Sequence, residues 1–358
     1  MTEKTKVGVI GLGVGTSHVA AYVASPYVEV VGICDSNPER LKAAGELHGV
    51  ARDRWMNSID ELLAVPGLEA VNVALPNDLH APVSIRALQA GLHVLCEKPL
   101  ARTAAEAQSI VDAAVAANRK LMVCFNYRYR ADARWLKTLA AEGRLGEVYF
   151  AKTAWQRNAG IPGAGSWFTQ KSLSGGGPLI DLGVHMLDLT LWLMGHPTPV
   201  SVSGQTFSKF GSRGLKAWGN VVRPGPQGGF DVEDLAAGFV RFADGRALSL
   251  EASWATHTAA GRDDYSVTLY GDEGGGELAV RNYSLTDTVT FFTEQGGEAV
   301  DLRPKLSAGG GHQLACDHFI DCIRNGKTPE STGEQGVMLM KIIDALYESA
   351  RTGAEVRL

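Results

Sequence analysis

Val7-Gly8-Val9-Ile10-Gly11-Leu12-Gly13-Val14-Gly15-Thr16-Ser17-His18 is the stretch that decides the fold. An apolar strand runs directly into a glycine-rich turn and then into a helix start. In that context Gly11 permits the tight turn. Gly13 lets the backbone approach a pyrophosphate, which free N–H groups at the helix N-terminus then hold, with Val14 and Gly15 completing the loop. The sixth position of the G-x-G-x-x-G/A pattern is Thr16, and Gly15 arrives one place early, so the helix is expected to start in a shifted register. The next apolar run, from Val28 to Cys34, ends at Asp35, 24 positions after Gly11. A carboxylate there accepts the ribose hydroxyls of an adenosine and repels a 2′-phosphate. No arginine follows before Arg40, so NAD is favoured over NADP.

Further strands are expected at Ala70 to Leu75, His93 to Cys96 and Leu121 to Phe125. The helices expected between them run from Pro38 to His48 with Asn37 as cap, from Pro82 to Ala90, and from Thr103 to Ala117. Strand–helix alternation over the first ~125 residues implies a parallel sheet covered by helices on both faces. The texture changes after ~150. Val240 to Trp254 reads as a hairpin about Asp244-Gly245, with period-2 alternation in its second arm. Tyr265 to Tyr270 and Thr288 to Phe292 read as strands, with turns at Gly274-Gly275-Gly276 and Gly296-Gly297. Helices are expected at His312 to Arg324 and Glu334 to Ala350. The second half is therefore an antiparallel sheet with helices, one face of it free to pack. Residues 204–230, with Pro224 and Pro226, read as a long functional or mobile loop.

The chain has 358 residues, room for two domains. Its 34 basic and 39 acidic residues give a net charge of −5, without the basic excess of a nucleic-acid binder. No apolar run reaches membrane-spanning length. The start, Met1-Thr2-Glu3-Lys4-Thr5-Lys6, leads straight into a strand-like run, so no signal peptide is expected. Cys34, Cys96, Cys124, Cys316 and Cys322 are odd in number and form no C-x-x-C pair. They read as reduced packing thiols of a cytoplasmic protein, with no zinc signature and no metal expected.

Three clusters carry chemistry. Pro76-Asn77-Asp78-Leu79-His80 and Glu97-Lys98-Pro99 each follow a strand, at the sheet edge where ligands bind. Pro76, Asn77, His80, Glu97 and Lys98 are accordingly expected at the cofactor crevice. A lysine there can also stabilise a developing alkoxide. The third cluster runs from Gly175 to Leu189. If it is helical from Leu179, Asp181 and His185 share a face with Asp188 adjoining, and His185 suits a general base for an alcohol proton. Trp155, Arg157, Trp167, Phe168 and Lys171 combine aromatic faces with cationic donors, which suits a sugar pocket. Asp231-x-Glu233-Asp234 reads as a solvated strand lead-in. His196 and His312 carry no chemical reading.

These motifs, with Gly91-x-His93 to Leu100 and Asn126-Tyr127-Arg128, resemble the Gfo/Idh/MocA family of nicotinamide-dependent sugar and polyol oxidoreductases over essentially the whole chain. The resemblance implies an α/β plus α+β protein. An NAD(P)-binding Rossmann domain with a doubly wound parallel sheet would span 1–125. A substrate-binding and oligomerisation domain on a large open, mostly antiparallel sheet would span 126–358. It implies Lys98 and His185 as the catalytic pair, completed by Asp181, with Pro99 aiming Lys98. Asn126 and Arg128 would lie near nicotinamide or substrate, and His18 would match a helix histidine of the family. The implied partners are a small sugar or polyol and further copies of the chain, as a homodimer or homotetramer. The implied reaction is hydride transfer at a secondary carbinol. The alternatives are a nicotinamide-sensing regulator without turnover, or a glycosidase or epimerase working through bound NAD.

Overall fold

The computed structural model describes residues 3–163, 165–218, 229–306 and 310–358. The chain divides into two compact units, Met1–Tyr129 with Gly310–Met340 and Arg130–Gly309 with Lys341–Leu358.

The first unit begins with β1 (Thr5–Ile10), α1 (Gly15–Ala24), β2 (Val28–Cys34), α2 (Pro38–His48), β3 (Trp55–Met56), α3 (Ile59–Leu63) and β4 (Ala70–Val73). It continues with α4 (Asn77–Gln89), β5 (His93–Glu97), α5 (Ala104–Ala117) and β6 (Leu121–Cys124). The six strands pair in parallel in the order β3-β2-β1-β4-β5-β6. β4 and β6 are buried at every position, as strands covered on both faces must be. The strand order reverses between β1 and β4, so the loops leaving those two strands border the ligand crevice of such a sheet.

Helix punctuation follows the sequence at two starts. The Asn37 side chain accepts from the N–H groups of Glu39 and Arg40 at α2, and Thr103 accepts from that of Glu106 at α5. α4 departs from expectation. It begins at Asn77, and Pro82 lies inside it. Proline is a start signal only in the first turn; in the second it merely removes one bond, here to the carbonyl of Asp78.

The second unit opens with α6 (Ala131–Ala141), β7 (Val148–Arg157), α7 (Lys171–Ser174), α8 (Val184–Leu193) and β8 (Pro199–Phe207). β9 (Leu235–Phe242), β10 (Ala247–Ser253), β11 (Asp263–Gly271), β12 (Gly275–Arg281), β13 (Val289–Gln295) and β14 (Glu298–Leu302) follow. After α9 (His312–Arg324) of the first unit, α10 (Gly333–Thr352) crosses the division, and β15 (Val356–Arg357) ends the chain. Nine strands lie in the order β14-β13-β12-β11-β7-β10-β9-β8-β15. Only β7 and β10 pair in parallel. In β10 the expected alternation holds up to Ala252, with Leu248, Leu250 and Ala252 buried and Ala247, Ser249 and Glu251 half-buried, and ends at Ser253, which is buried as well. Gly275 and Gly276 lie in a strand rather than a turn. A Cβ on Gly276 would come 2.4 Å from Leu136 of α6, so the glycine makes room for the helix. Of the stretch 204–230, residues 204–207 belong to β8, and 219–228, with Pro224 and Pro226, lie outside the described residues.

All five cysteines are buried and free of disulfides. No helix among the described residues is long and apolar enough to cross a membrane.

The segment Gly310–Met340, expected within 126–358, packs in the first unit. Ala315, Cys316, Phe319 and Ile320 of α9 share one core with Val19 and Tyr22 of α1. Ser331 exchanges hydrogen bonds with Val123 of β6 (2.7 and 3.0 Å), which covers that sheet edge. Because Phe319 is fully buried, Phe319→Ala should lower stability by about 3–5 kcal/mol in urea unfolding. A change near zero would separate α9 from this core.

Candidate active site

The first unit builds a nucleotide cradle from loop residues. Gly11 has φ +88°, and a Cβ there would lie 2.2 Å from the Ala74 carbonyl oxygen. The two crevice loops therefore meet at a position only glycine fits. Around Gly13, by contrast, a Cβ would meet nothing within 4 Å, leaving the space a phosphate needs. α1 starts at Gly15, behind Val14, which is the register shift expected from the early glycine. Asp35 closes the loop. Its Oδ2 accepts from the Leu12 N–H and its Oδ1 from that of Asn37, both at 2.8 Å. Each oxygen keeps a further lone pair for another donor.

The loops after β4 and β5 are tied together by His80. Its Nδ1 lies 2.7 Å from the Pro99 carbonyl oxygen and its Nε2 2.8 Å from that of Leu75. Burial pushes this imidazole's pKa down, against the pull of the two carbonyls. Pro76 sits just before α4, and Asn77, its first residue, is buried. His80 is thus a clamp between strand ends rather than a group open to ligand.

Glu97 ends β5 and turns into the protein. Its Oε1 lies 2.9 Å from His18 Nε2 and 3.6 Å from His312 Nε2, and its Oε2 accepts from the Lys98 N–H at 3.2 Å. The Asn72 amide reaches His18 Nδ1 at 2.8 Å, and the Tyr22 hydroxyl donates to Asn72 Oδ1 at 2.7 Å. With Nδ1 accepting from the amide, the His18 proton sits on Nε2 and faces the carboxylate. Burial alone would raise the Glu97 carboxyl. The His18 hydrogen bond and charge, followed by His312 and Lys98, hold it well below the ordinary carboxylate range. Glu97 thus braces the strand end through its buried carboxylate. Lys98, the next residue, is half-buried, and the Lys98–Pro99 bond is cis.

Asn126 opens a tight turn after β6, and its buried Oδ1 lacks a hydrogen-bond partner among the described residues. Arg128, expected near nicotinamide or substrate, is engaged inside the first unit. It is fully buried, lies over Phe125, and donates to the Glu330 carbonyl (2.7 Å) and Gln335 Oε1 (2.9 Å). It fastens the returning segment to this unit.

In the second unit, Leu179–Gly183 is a wide π turn that leads into α8. Within residues 176–194 every residue is buried except Asp181 and His185. The expected polar pair is thus the opening in an otherwise dry helix; Asp188 is buried beside it. Asp181 Oδ2 accepts from Trp254 Nε1 at 3.0 Å, and the His185 ring lies 5.9 Å from that of Trp155. Trp155 and Arg157, on β7, share one carboxylate. Trp155 Nε1 donates to Asp263 Oδ1 (2.8 Å), and Arg157 Nε to Oδ2 (2.9 Å). Arg157 also donates to the Tyr283 hydroxyl at 2.8 Å and stacks 4.6 Å from Trp218. Burial opposes the guanidinium charge, but Tyr283, Asp263 and Asp181 hold it protonated. Trp167 stacks on Phe168 at 3.8 Å, and the Lys171 ammonium sits over Tyr347.

In the acidic run at 231–234, Asp231 is exposed but Glu233 and Asp234 are buried. Glu233 accepts from the N–H groups of Gly177 (3.0 Å) and Leu179 (3.1 Å) and from the Tyr347 hydroxyl (2.9 Å). Burial raises its carboxyl against those bonds. A Cβ on Gly177 would lie 2.1 Å from the Glu233 carbonyl oxygen, so the glycine run lets the two segments touch. Asp234 accepts from the N–H groups of Lys209, Phe210 and Gly211, and Asp231 from that of Lys171. Sequence reading missed these caps because each partner lies tens of residues away.

The sheet order, the glycine loop and the carboxylate after β2 define a dinucleotide-binding Rossmann protein with a second domain on a large open sheet. Residues 5–125 match an oxidoreductase family's NAD-binding Rossmann fold, and residues 137–358 match its C-terminal alpha/beta domain. The chain belongs to this family, the Gfo/Idh/MocA oxidoreductases, and is an enzyme of the dehydrogenase and reductase class. It is 33% identical over 356 residues to D-glucoside 3-dehydrogenase of Escherichia coli (strain K12), covering 99% of this chain and 97% of that one. Levoglucosan dehydrogenase of Pseudarthrobacter phenanthrenivorans is 32% identical over 387 residues, covering 97% of this chain and 96% of its own. A solved levoglucosan dehydrogenase in complex with NADH and levoglucosan is similar at TM-score 0.85 and 27% identity over 99% of each chain.

The clamp role of His80 is testable. Removing the ring in His80→Ala leaves unpaired the carbonyl that takes the neutral imidazole's single N–H, at about 1–3 kcal/mol. Urea unfolding should show a loss of about 1–3 kcal/mol. A loss within a few tenths of a kcal/mol would mean that His80 holds nothing.

Proposed function

We propose that this enzyme transfers a hydride between NAD and a secondary hydroxyl or ketone carbon of a sugar, inositol or related polyol. The carrying observation is the opening at Asp181 and His185 in a helix that is buried everywhere else. A half-exposed carboxylate and imidazole set side by side in an otherwise apolar segment are placed where chemistry can use them. The relatives support the substrate class, since they act on a D-glucoside and on levoglucosan.

The residues fit a nicotinamide dinucleotide. The open space at Gly13 and the unpartnered buried Oδ1 of Asn126 are places a pyrophosphate and a carboxamide would fill. Bound there, the cofactor supplies hydride acceptor or donor chemistry at its nicotinamide ring. The free lone pairs of Asp35 take the ribose hydroxyls, and its charge disfavours a 2′-phosphate, so NAD is preferred to NADP.

In the oxidative direction His185 takes the hydroxyl proton of the substrate. Protonated Lys98 hydrogen-bonds the reacting oxygen and favours its alkoxide form. Asp181, oriented by Trp254, accepts from a neighbouring hydroxyl and positions the ring. Arg157, engaged by Asp263 and Tyr283, orders the Trp155 wall of the site instead of reaching for substrate. The half-exposed sheet face that carries Phe150, Phe239 and Tyr270 is the surface assigned to self-association. Five reduced thiols favour the cytoplasm.

The test is NADH formation from NAD⁺ across a panel of glycosides, sugars and inositols. Lys98→Met and His185→Ala should each lower turnover by about 10²–10⁴-fold while retaining cofactor binding. Full turnover in both variants would refute the assignment.

A further inference from the structure

We propose that His18, Glu97, Cys124 and His312 form a binding site for a divalent transition-metal ion of the Zn²⁺ type within the first unit. The inference is independent of the proposed reaction. The four ligand atoms lie within 4.8 Å of one another. His18 Nε2 is 2.9 Å from Glu97 Oε1 and 3.9 Å from Cys124 Sγ, and His312 Nε2 is 3.6 Å from Glu97 Oε1. An ion holding ligands tetrahedrally at about 2.0–2.3 Å spaces them roughly 3.3–3.7 Å apart. The measured distances straddle that range. Seating an ion asks His18 and Glu97 to part by a few tenths of an ångström and the wider pairs, which reach at most 4.8 Å, to draw together.

The donor set fixes the class of ion. One thiolate, two imidazoles and one carboxylate suit Zn²⁺, whereas Mg²⁺ and Ca²⁺ require oxygen ligands throughout. Four fixed positions supply them: α1, the last residue of β5, the last residue of β6 and the first residue of α9. His18 and Cys124 are fully buried, Glu97 nearly so, and the part-exposed His312 marks the entry side.

An outer shell is present as well. A metal-bound imidazole commonly has its other nitrogen held by a neighbour, and Asn72 and Tyr22 stand in that place. With the ion on Nε2, the His18 proton moves to Nδ1. The Asn72 amide turns over so that its oxygen accepts that proton and its NH₂ donates to the Tyr22 hydroxyl. Ligation needs the Cys124 thiolate, so binding displaces that thiol's proton against the burial that pushes its pKa up. Sequence spacing hides such a site, because the intervals are 79 (97 − 18), 27 (124 − 97) and 188 (312 − 124). Once bound, the ion would cross-link α9 to the sheet at the residue before Lys98.

The full chain, produced with zinc supplementation and dialysed without chelator, should contain about one zinc per chain. Cys124→Ser and His312→Ala should each lower that content at least about tenfold. Cobalt(II) loaded into the metal-free wild-type chain should give the intense visible bands of a tetrahedral site and a thiolate charge-transfer band. This arm remains decisive if a variant fails to fold. Wild-type protein without zinc and without the thiolate–cobalt band would overturn the proposal. So would zinc retained equally in wild type and both variants, which would place the ion elsewhere.

Discussion

A carboxylate buried in the interior, Glu97, is the constraint on which the first unit depends. Burying an ion without a partner is prohibitively unfavourable, so the surroundings of Glu97 must be built to receive it. His18 lies against one of its oxygens, and behind His18 the Asn72 amide and the Tyr22 hydroxyl complete a chain of directed hydrogen bonds. That chain joins α1, β4 and β5, and His312 brings α9 to the same carboxylate. Lys98 is the residue that follows, so its backbone position is inherited from a rigid network. A site residue on such a base needs little reorganisation when a charge develops beside it.

The second unit solves the same problem with a different carboxylate. Glu233 accepts the N–H groups at the start of the Asp181–His185 segment and takes a third bond from Tyr347. Those N–H groups have no partner of their own at a helix start, so the bond fixes where the turn begins. The wide turn that follows holds Asp181, and such turns recur at functional sites. Trp254 then fixes the carboxylate's direction. Both units thus keep polar side chains in place through buried carboxylates held by several neighbours at once, which lowers the cost of burying them.

The sequence made the local features legible. The strand before Gly11, the acidic end of β2 and the Asn37 cap are short-range signals, and each stands where periodicity and cap chemistry put it. So does the Asp181–His185 pair, because apolar residues surround it on both sides. What escaped was the long-range pairing. Glu233 looked solvated because nothing within its own neighbourhood pairs with it; its partners stand 54 and 56 residues earlier. Arg128 looked like a ligand contact until the returning segment supplied Glu330 and Gln335. The placement of α9 in the first unit was invisible for the same reason, since amphipathic spacing reveals a buried face but not what covers it.

Hydride transfer is the central claim, and isotope tracing tests it most directly. A sugar carrying deuterium on its carbinol carbons should pass one deuterium to the nicotinamide ring in a single turnover, seen as a one-unit mass gain in the isolated NADH. Reduced cofactor carrying only solvent hydrogen, or product formed with no label in the nicotinamide, would contradict the account.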